Sequence, residues 1–206
     1  MIYIIENVCN LDSGFIERAI GKLSVNRRKD MEKYSLLSDR INSCAVYLLL
    51  RYGLLKEYGI KIKPEFEFGK RGKPYLKDIK GIYFNFSHCK NTAVCILSRN
   101  DTAIDVMDIR KIHRGVLKRC CTAEEIQKIN SSEFPDREFT KFWTRKECYS
   151  KLDGRGLQLD FAGIDEKLTE MYDIYTEDYG EYILSYYSCK KVNTIKVEAD
   201  ELLMIE

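Results

Sequence analysis

Residues 82–107 read IYFNFSHCKNTAVCILSRNDTAIDVM. Three short runs inside it, IYFNF (82–86), TAVCILS (92–98) and TAIDVM (102–107), are rich in β-branched and aromatic residues. Asn, Asp and other turn formers cut between them. Runs of this length and spacing predict strands that pair with one another, within a β-rich stretch from Ile62 to Asp108.

Moving outward, the character changes on both sides. Upstream, Ser38 or Asp39 is a plausible N-cap for INSCAVYLLLRYGLLKEYG (41–59), whose apolar residues fill a wide helical face until Gly59 stops it. Before it lie a short β-branched run, IYIIENV (2–8), and a helical pattern from about Ser13 to Leu23. Downstream, Thr122-x-x-Glu125 forms a capping box ahead of EEIQKI, and DREFTKFWTRKECYSKL (136–152) predicts a helix closed by Gly154. Strands are expected again after about Ile164, including GEYILSYYSC (180–189) and NTIKVEAD (193–200).

Strand, helices and strands thus occur twice. The order predicts an α+β protein of two similar lobes, residues 1–103 and 104–206, packed tightly as a pseudo-dimer, with TAVCILS and EYILSYYS as equivalent strands.

The chain has 206 residues, 45% of them hydrophobic, which is enough for a sizeable core. No apolar run approaches the roughly 20 residues of a membrane helix, and MIYIIENVCN lacks the basic start and long apolar stretch of a signal peptide. The expected location is the cytoplasm, with no membrane partner. Eight cysteines contain no C-x-x-C pair, so neither a zinc site nor a disulfide framework is implied. Cys120 and Cys121 read either as small core residues or as a redox pair, and no function is assigned to them. A net charge of +2 argues against a general nucleic-acid surface. Two local basic segments, NRRKDMEK (26–33) and FGKRGKP (68–74), fit either solvated surface or the seat of a phosphate-rich small ligand.

Chemistry concentrates in three places. On the helix around Trp143, residues Phe139, Phe142 and Trp143 form an apolar face, which Glu147 and Lys151 continue at spacings of four. Taken alone, Glu147 and Lys151 are also an ordinary i,i+4 pair. Asp105 sits in an otherwise apolar strand, where a carboxylate either lies at the strand end or has a buried partner. Since magnesium is held by one or two carboxylates plus phosphates and water, Asp105 and Glu147 would suffice if the fold brings them together. Ser87 and His88 follow a strand directly, where loop side chains reach a ligand at a sheet edge. No Gly-x-Ser-x-Gly elbow or Walker loop is present.

Four segments in this order resemble the 4′-phosphopantetheinyl transferases of the two-lobed, surfactin-synthetase-activating type. They are Gly72-Lys73-Pro74, FNFSH (84–88), IDVM (104–107) and FWTRKECYSKLDGRGL (142–157). The last is the most specific: it resembles that family's tryptophan-x-x-lysine-glutamate helix, a second lysine and a glycine-x-glycine turn, here Trp143, Lys146, Glu147, Lys151, Gly154 and Gly156.

The resemblance implies transfer of phosphopantetheine from coenzyme A to a serine of an apo acyl or peptidyl carrier protein. It assigns Lys73, Ser87 and His88 to coenzyme A phosphates, and Asp105 and Glu147 to Mg²⁺. Lys151 would face the phosphates and Glu147 would also act as general base. Arg27, Arg28, Lys33 and Ser43 fall where relatives contact the adenosine 3′-phosphate. Arg114, Lys118 and Arg119 would steer an acidic carrier, and two lobes on one chain imply a monomer. One departure stands out: the family's metal strand usually carries a glutamate where this chain has Met107. Asp108 does not replace it, because neighbouring strand residues face opposite ways. Met107 also supports an alternative reading, a non-catalytic coenzyme A or carrier-binding module. A nucleic-acid-binding reading of the basic segments conflicts with the balanced charge.

Overall fold

The computed structural model describes residues 1–70, 72–154, 161–164 and 166–205. The elements run β1 (Ile2–Glu6), α1 (Ser13–Ala19), α2 (Val25–Glu32), α3 (Leu37–Tyr58), β2 (Phe66–Phe68), β3 (Pro74–Leu76), β4 (Tyr83–His88), β5 (Thr92–Ser98), β6 (Ala103–Asp108), α4 (Arg114–Cys120), α5 (Ala123–Ser131), α6 (Pro135–Asp153), α7 (Glu166–Met171), β7 (Ile174–Asp178), β8 (Tyr182–Tyr187), β9 (Thr194–Lys196) and α8 (Ala199–Leu203).

Two sheets carry the architecture, in the orders β4-β5-β1-β9 and β6-β8-β7, and β2 and β3 form a separate hairpin. In the first, β5 is antiparallel to both β1 and β4; in the second, β8 is antiparallel to both β6 and β7. Each half therefore follows one plan: a strand, a long helix, then two strands of which the last becomes central. This is the α+β repetition expected from the sequence.

Strand alternation explains the layering. Ile2, Ile4, Val94 and Ile96 from one sheet meet Ile104, Val106, Leu184 and Tyr186 from the other, making a core between the sheets. The opposite faces bury separate helices. Tyr3, Ile5, Cys95 and Leu97 pack under α3, whereas Ala103 packs with Cys148 and Tyr149 of α6. Each fully buried aliphatic side chain here contributes about 1.5–3 kcal/mol.

The helix ends follow local chemistry. α6 opens on Pro135, whose missing N–H costs nothing in the first turn. It closes on Gly154 at φ 81°, a left-handed position that a glycine takes without strain. α3 begins earlier than expected, at Leu37, and no side chain caps it. Asp39 lies within the first turn, where its charge favours the helix dipole instead of capping it.

The C-terminal region departs further from expectation. Residues 193–200 are not one strand: β9 spans Thr194–Lys196, and a Glu198–Glu201 capping box then starts α8. α7 also interrupts the expected strands. β9 runs parallel to β1, and Tyr52 of α3 hydrogen-bonds Glu201 of α8, so the chain end returns to the first sheet. No described helix is long and apolar enough to cross a membrane.

Candidate active site

β4 and β6 lie side by side where the two sheets meet. The Ile104 N–H donates to Asn85 Oδ1 at 3.0 Å, which fixes the strands in register. Ser87, two residues along β4 on the same face, then donates its hydroxyl to Asp105 Oδ1 at 2.8 Å. Asp105 points away from the inter-sheet core because Ile104 and Val106 occupy that face. It points at α6 instead, where Lys151 donates to Asp105 Oδ1 at 2.8 Å and to the Ile104 carbonyl at 3.0 Å. The carboxylate expected to need either a strand end or a buried partner thus has two partners at once.

Glu147 lies one helical turn before Lys151. Burial, and next the nearby Asp105 charge, push its carboxyl up to about 7 against the opposing pull of Lys151. It makes no hydrogen bond or ion pair among the described residues. Asp105, Glu147, Met107, His88, Lys90 and Trp143 all line a cavity of about 730 Å³. Among the described residues no group of three or more His, Cys, Asp or Glu could hold a metal. Asp105 and Glu147 are a pair, and Met107 lies on the Asp105 face of β6 beside them.

His88 ends β4 at the cavity mouth with much of its surface open. The surrounding walls still strip water from the imidazole; together with repulsion from Lys151 and Arg27 this holds its pKa below the ordinary value, against the pull of Asp39 and Asp105. Asp108 faces the other way from Asp105, as the strand period requires, and accepts the Lys90 backbone N–H at 2.9 Å. Burial and its contact with Asp108 raise the Cys89 thiol to about 12, which disfavours the thiolate. Burial likewise raises Cys121 to about 11.

Lys73 and Lys151 share a smaller cleft of about 240 Å³ with Phe86 and Gly154. The Lys73 ammonium is buried and paired with Asp101. Arg27 donates to the Ser43 carbonyl at 2.8 Å, and its guanidinium lies 5.5 Å from the Phe86 ring centre. Arg27 Nε and Ser43 Oγ are buried without hydrogen-bond partners. Arg28 turns away to the Ile20 carbonyl, and Lys33 is exposed and paired with Asp30 at 2.6 Å, so neither joins this group. Gly156 and Leu157 lie outside the described residues, as does the Arg114 side chain.

Sequence reasoning missed two supporting groups. Asp101, in a loop that reads only as a turn, holds Lys73. Glu125, legible as a helix cap, accepts the Thr122 N–H at 2.9 Å and also the Lys146 ammonium at 2.6 Å. Lys146 donates further to the Cys120 and Phe161 carbonyls, at 2.7 and 3.0 Å. Trp143 stacks on Phe161 with ring centres 5.3 Å apart. These contacts set the rotation of α6 that turns Glu147 and Lys151 toward β6. The capping-box spacing was the available signal for Glu125; nothing in the sequence points to its second partner.

Comparison with known proteins converges on the same segments. The profile of the 4′-phosphopantetheinyl transferase superfamily matches residues 102–199, which include β6, α6 and β8. The 4′-phosphopantetheinyl transferase psf-1 of Bacillus pumilus is 26% identical over 158 residues, 75% of this chain and 68% of its own length. The 4′-phosphopantetheinyl transferase Sfp of Bacillus subtilis (strain 168) is 23% identical over 155 residues, 74% and 69% of the two chains. An L-aminoadipate-semialdehyde dehydrogenase-phosphopantetheinyl transferase of Candida glabrata is 30% identical over 144 residues, 63% and 54% of the two chains. With the profile falling on the strand and helix that bring Asp105, Glu147 and Lys151 together, and with relatives of one kind spanning most of its length, this chain belongs to the 4′-phosphopantetheinyl transferase superfamily.

Proposed function

We propose that this protein transfers the 4′-phosphopantetheine group of coenzyme A to a serine of an apo acyl or peptidyl carrier protein. The observation that carries the reading is the convergence of Ser87 and Lys151 on Asp105 within hydrogen-bonding distance, at the junction of the sheets, where Asp105 and Glu147 line one cavity. The names of the relatives support the same transfer.

In this reading the serine hydroxyl attacks the β-phosphorus. A new oxygen–phosphorus bond forms, the bond to the bridging pyrophosphate oxygen breaks, and adenosine 3′,5′-bisphosphate leaves. Lys151, together with Ser87 and His88, orients the pyrophosphate, and its charge offsets the negative charge that builds on the leaving oxygen. Glu147 accepts the serine proton, directly or through water, and combines this with metal binding. Lys73, Arg27 and Ser43 hold the nucleotide end, where the buried Arg27 Nε and Ser43 Oγ have no hydrogen-bond partner.

The donor set fits Mg²⁺: of two neighbouring carboxylates, Glu147 has its pKa raised by burial and then by the Asp105 charge, a strain that a divalent cation relieves, and magnesium keeps water where Met107 offers no oxygen. Asp105 and Glu147 would hold it, and when bound it would add electrostatic stabilisation at the pyrophosphate. The reading also includes a cytoplasmic monomer, no nucleic-acid or membrane partner, and a lobe division at residues 103/104 with segment 194–205 returned to the first lobe.

The test is incubation with coenzyme A, Mg²⁺ and a panel of apo carriers, read by intact mass spectrometry. A carrier gain of about 340 Da, the increment for covalent transfer, should vanish with EDTA and in Glu147→Gln. Coenzyme A binding without any gain across the panel would favour the non-catalytic module.

A further inference from the structure

Lys90 occupies a place that the proposed mechanism leaves unused. It follows His88 and Cys89 in the β4–β5 turn, and these three residues form a wall shared by two cavities. On one side is the reaction cavity of about 730 Å³ with Asp105 and Glu147. On the other is a cavity of about 540 Å³ between the start of α3 and the segment after β1, lined by Leu11, Leu37, Ile41 and Asn42.

The backbone here is held firmly. Asp108 accepts the Lys90 N–H, and the Cys89 N–H donates to the Thr92 carbonyl at 2.9 Å. The side chain is exposed, and its ammonium makes no hydrogen bond or ion pair among the described residues. The other lysines near the site are engaged: Lys73 with Asp101, Lys146 with Glu125 and Lys151 with Asp105. A cation on an anchored turn, unpaired among the described residues, at the rim of a cavity that Asp105, Asp108, Glu147 and Arg110 also line, is placed to meet an anion entering that cavity. Asp108 accepts the Lys90 backbone N–H and forms no ion pair with its ammonium among the described residues.

We propose that Lys90 is a further substrate-binding residue, whose ammonium grips the pyrophosphate of coenzyme A from the mouth of the reaction cavity. This rests on the transferase reading above. A compact ammonium on a flexible stem suits a phosphate that must be held before the reaction and released after it.

The test is calorimetric binding of coenzyme A and of dephospho-coenzyme A, which keeps the pyrophosphate but lacks the 3′-phosphate, to the intact protein, Lys90→Met and Lys90→Arg. Loss of one charge-assisted hydrogen bond should weaken both ligands roughly tenfold in Lys90→Met. Lys90→Arg should retain most of the affinity, and Lys90→Met should show a shallower loss of binding with salt. In turnover, KM for coenzyme A should rise in Lys90→Met with kcat nearly unchanged. Unaltered affinity for both ligands would overturn the inference. So would weakening confined to coenzyme A, which would put Lys90 on the 3′-phosphate. Failure of the unsubstituted protein to bind coenzyme A at all would overturn the transferase reading, and this inference with it.

Discussion

Lys146 Nζ lies 2.6 Å from Glu125 Oε2, and both side chains are almost wholly buried, at 2% and 3% exposure. The pair ties α5 to α6 away from the reacting groups. Removing one member strands a buried charge, which costs about 3–5 kcal/mol. Lys146→Met should therefore lose that much stability in urea unfolding. Adding Glu125→Gln, which keeps an oxygen for the Thr122 N–H, should recover part of the loss. Strictly additive losses would show that the two side chains are not coupled.

Glu147 should make the metal-free protein less stable as pH rises. Its folded pKa, about 7, is above the ordinary value of 4.5. The stability it contributes is thus fully present below about 4.5 and lost as pH climbs through about 7. Between pH 5 and 8 in EDTA the protein should lose on the order of 2 kcal/mol from this group. Glu147→Gln should flatten that dependence and raise Tm at pH 8 while abolishing transfer. A variant whose Tm falls in parallel with the parent from pH 5 to 8 would contradict this.

Met107→Glu should strengthen metal binding. Positions 105 and 107 share one face of β6, and both line the reaction cavity. A third carboxylate should tighten Mg²⁺ or Mn²⁺ binding roughly tenfold in calorimetry without coenzyme A. Unchanged affinity would mean that position 107 does not reach the ion.

Gly53 is required by close packing. A β-carbon there would lie 2.5 Å from Leu97 Cδ1 and 2.7 Å from Tyr3 Cε2. Both neighbours are fully buried between α3 and the first sheet. Gly53→Ala should cost about 1–3 kcal/mol by overpacking, despite the gain in helix propensity. Unfolding at the parent's denaturant midpoint would show that the core yields more easily than this.

Carrier recognition should be electrostatic. Charge reversal at Arg114, Lys118 and Arg119 should raise KM for an acidic carrier about tenfold and reduce its salt dependence, leaving KM for coenzyme A in place. An unaltered carrier KM and salt slope would move the docking surface elsewhere.

The repeated plan was legible because strand and helix periods, turn formers and caps are local properties. IYFNF, TAVCILS and TAIDVM read as strands from side-chain type alone, and the apolar run ending at Gly59 reads as one helix because nothing interrupts its period. The C-terminal end was misread for the same reason: NTIKVEAD has strand composition, whereas a Glu198–Glu201 capping box starts a helix there. Its docking against β1 and α3 depends on contacts about 150 and 190 residues apart in the chain.

For the site, motif spacing marked Ser87, Asp105, Glu147 and Lys151, and strand alternation predicted that Asp105 and Asp108 part company. The side on which Asp105 emerges is settled only by packing. Ile104 and Val106 are drawn into the core between the sheets, so the carboxylate turns to α6, where Lys151 meets it. The second role of Glu125, the Asp101 partner of Lys73 and the placement of Lys90 between two cavities join residues distant in sequence. Periodicity carries no information about such pairs; burial and the need to partner every buried charge create them once the sheets close.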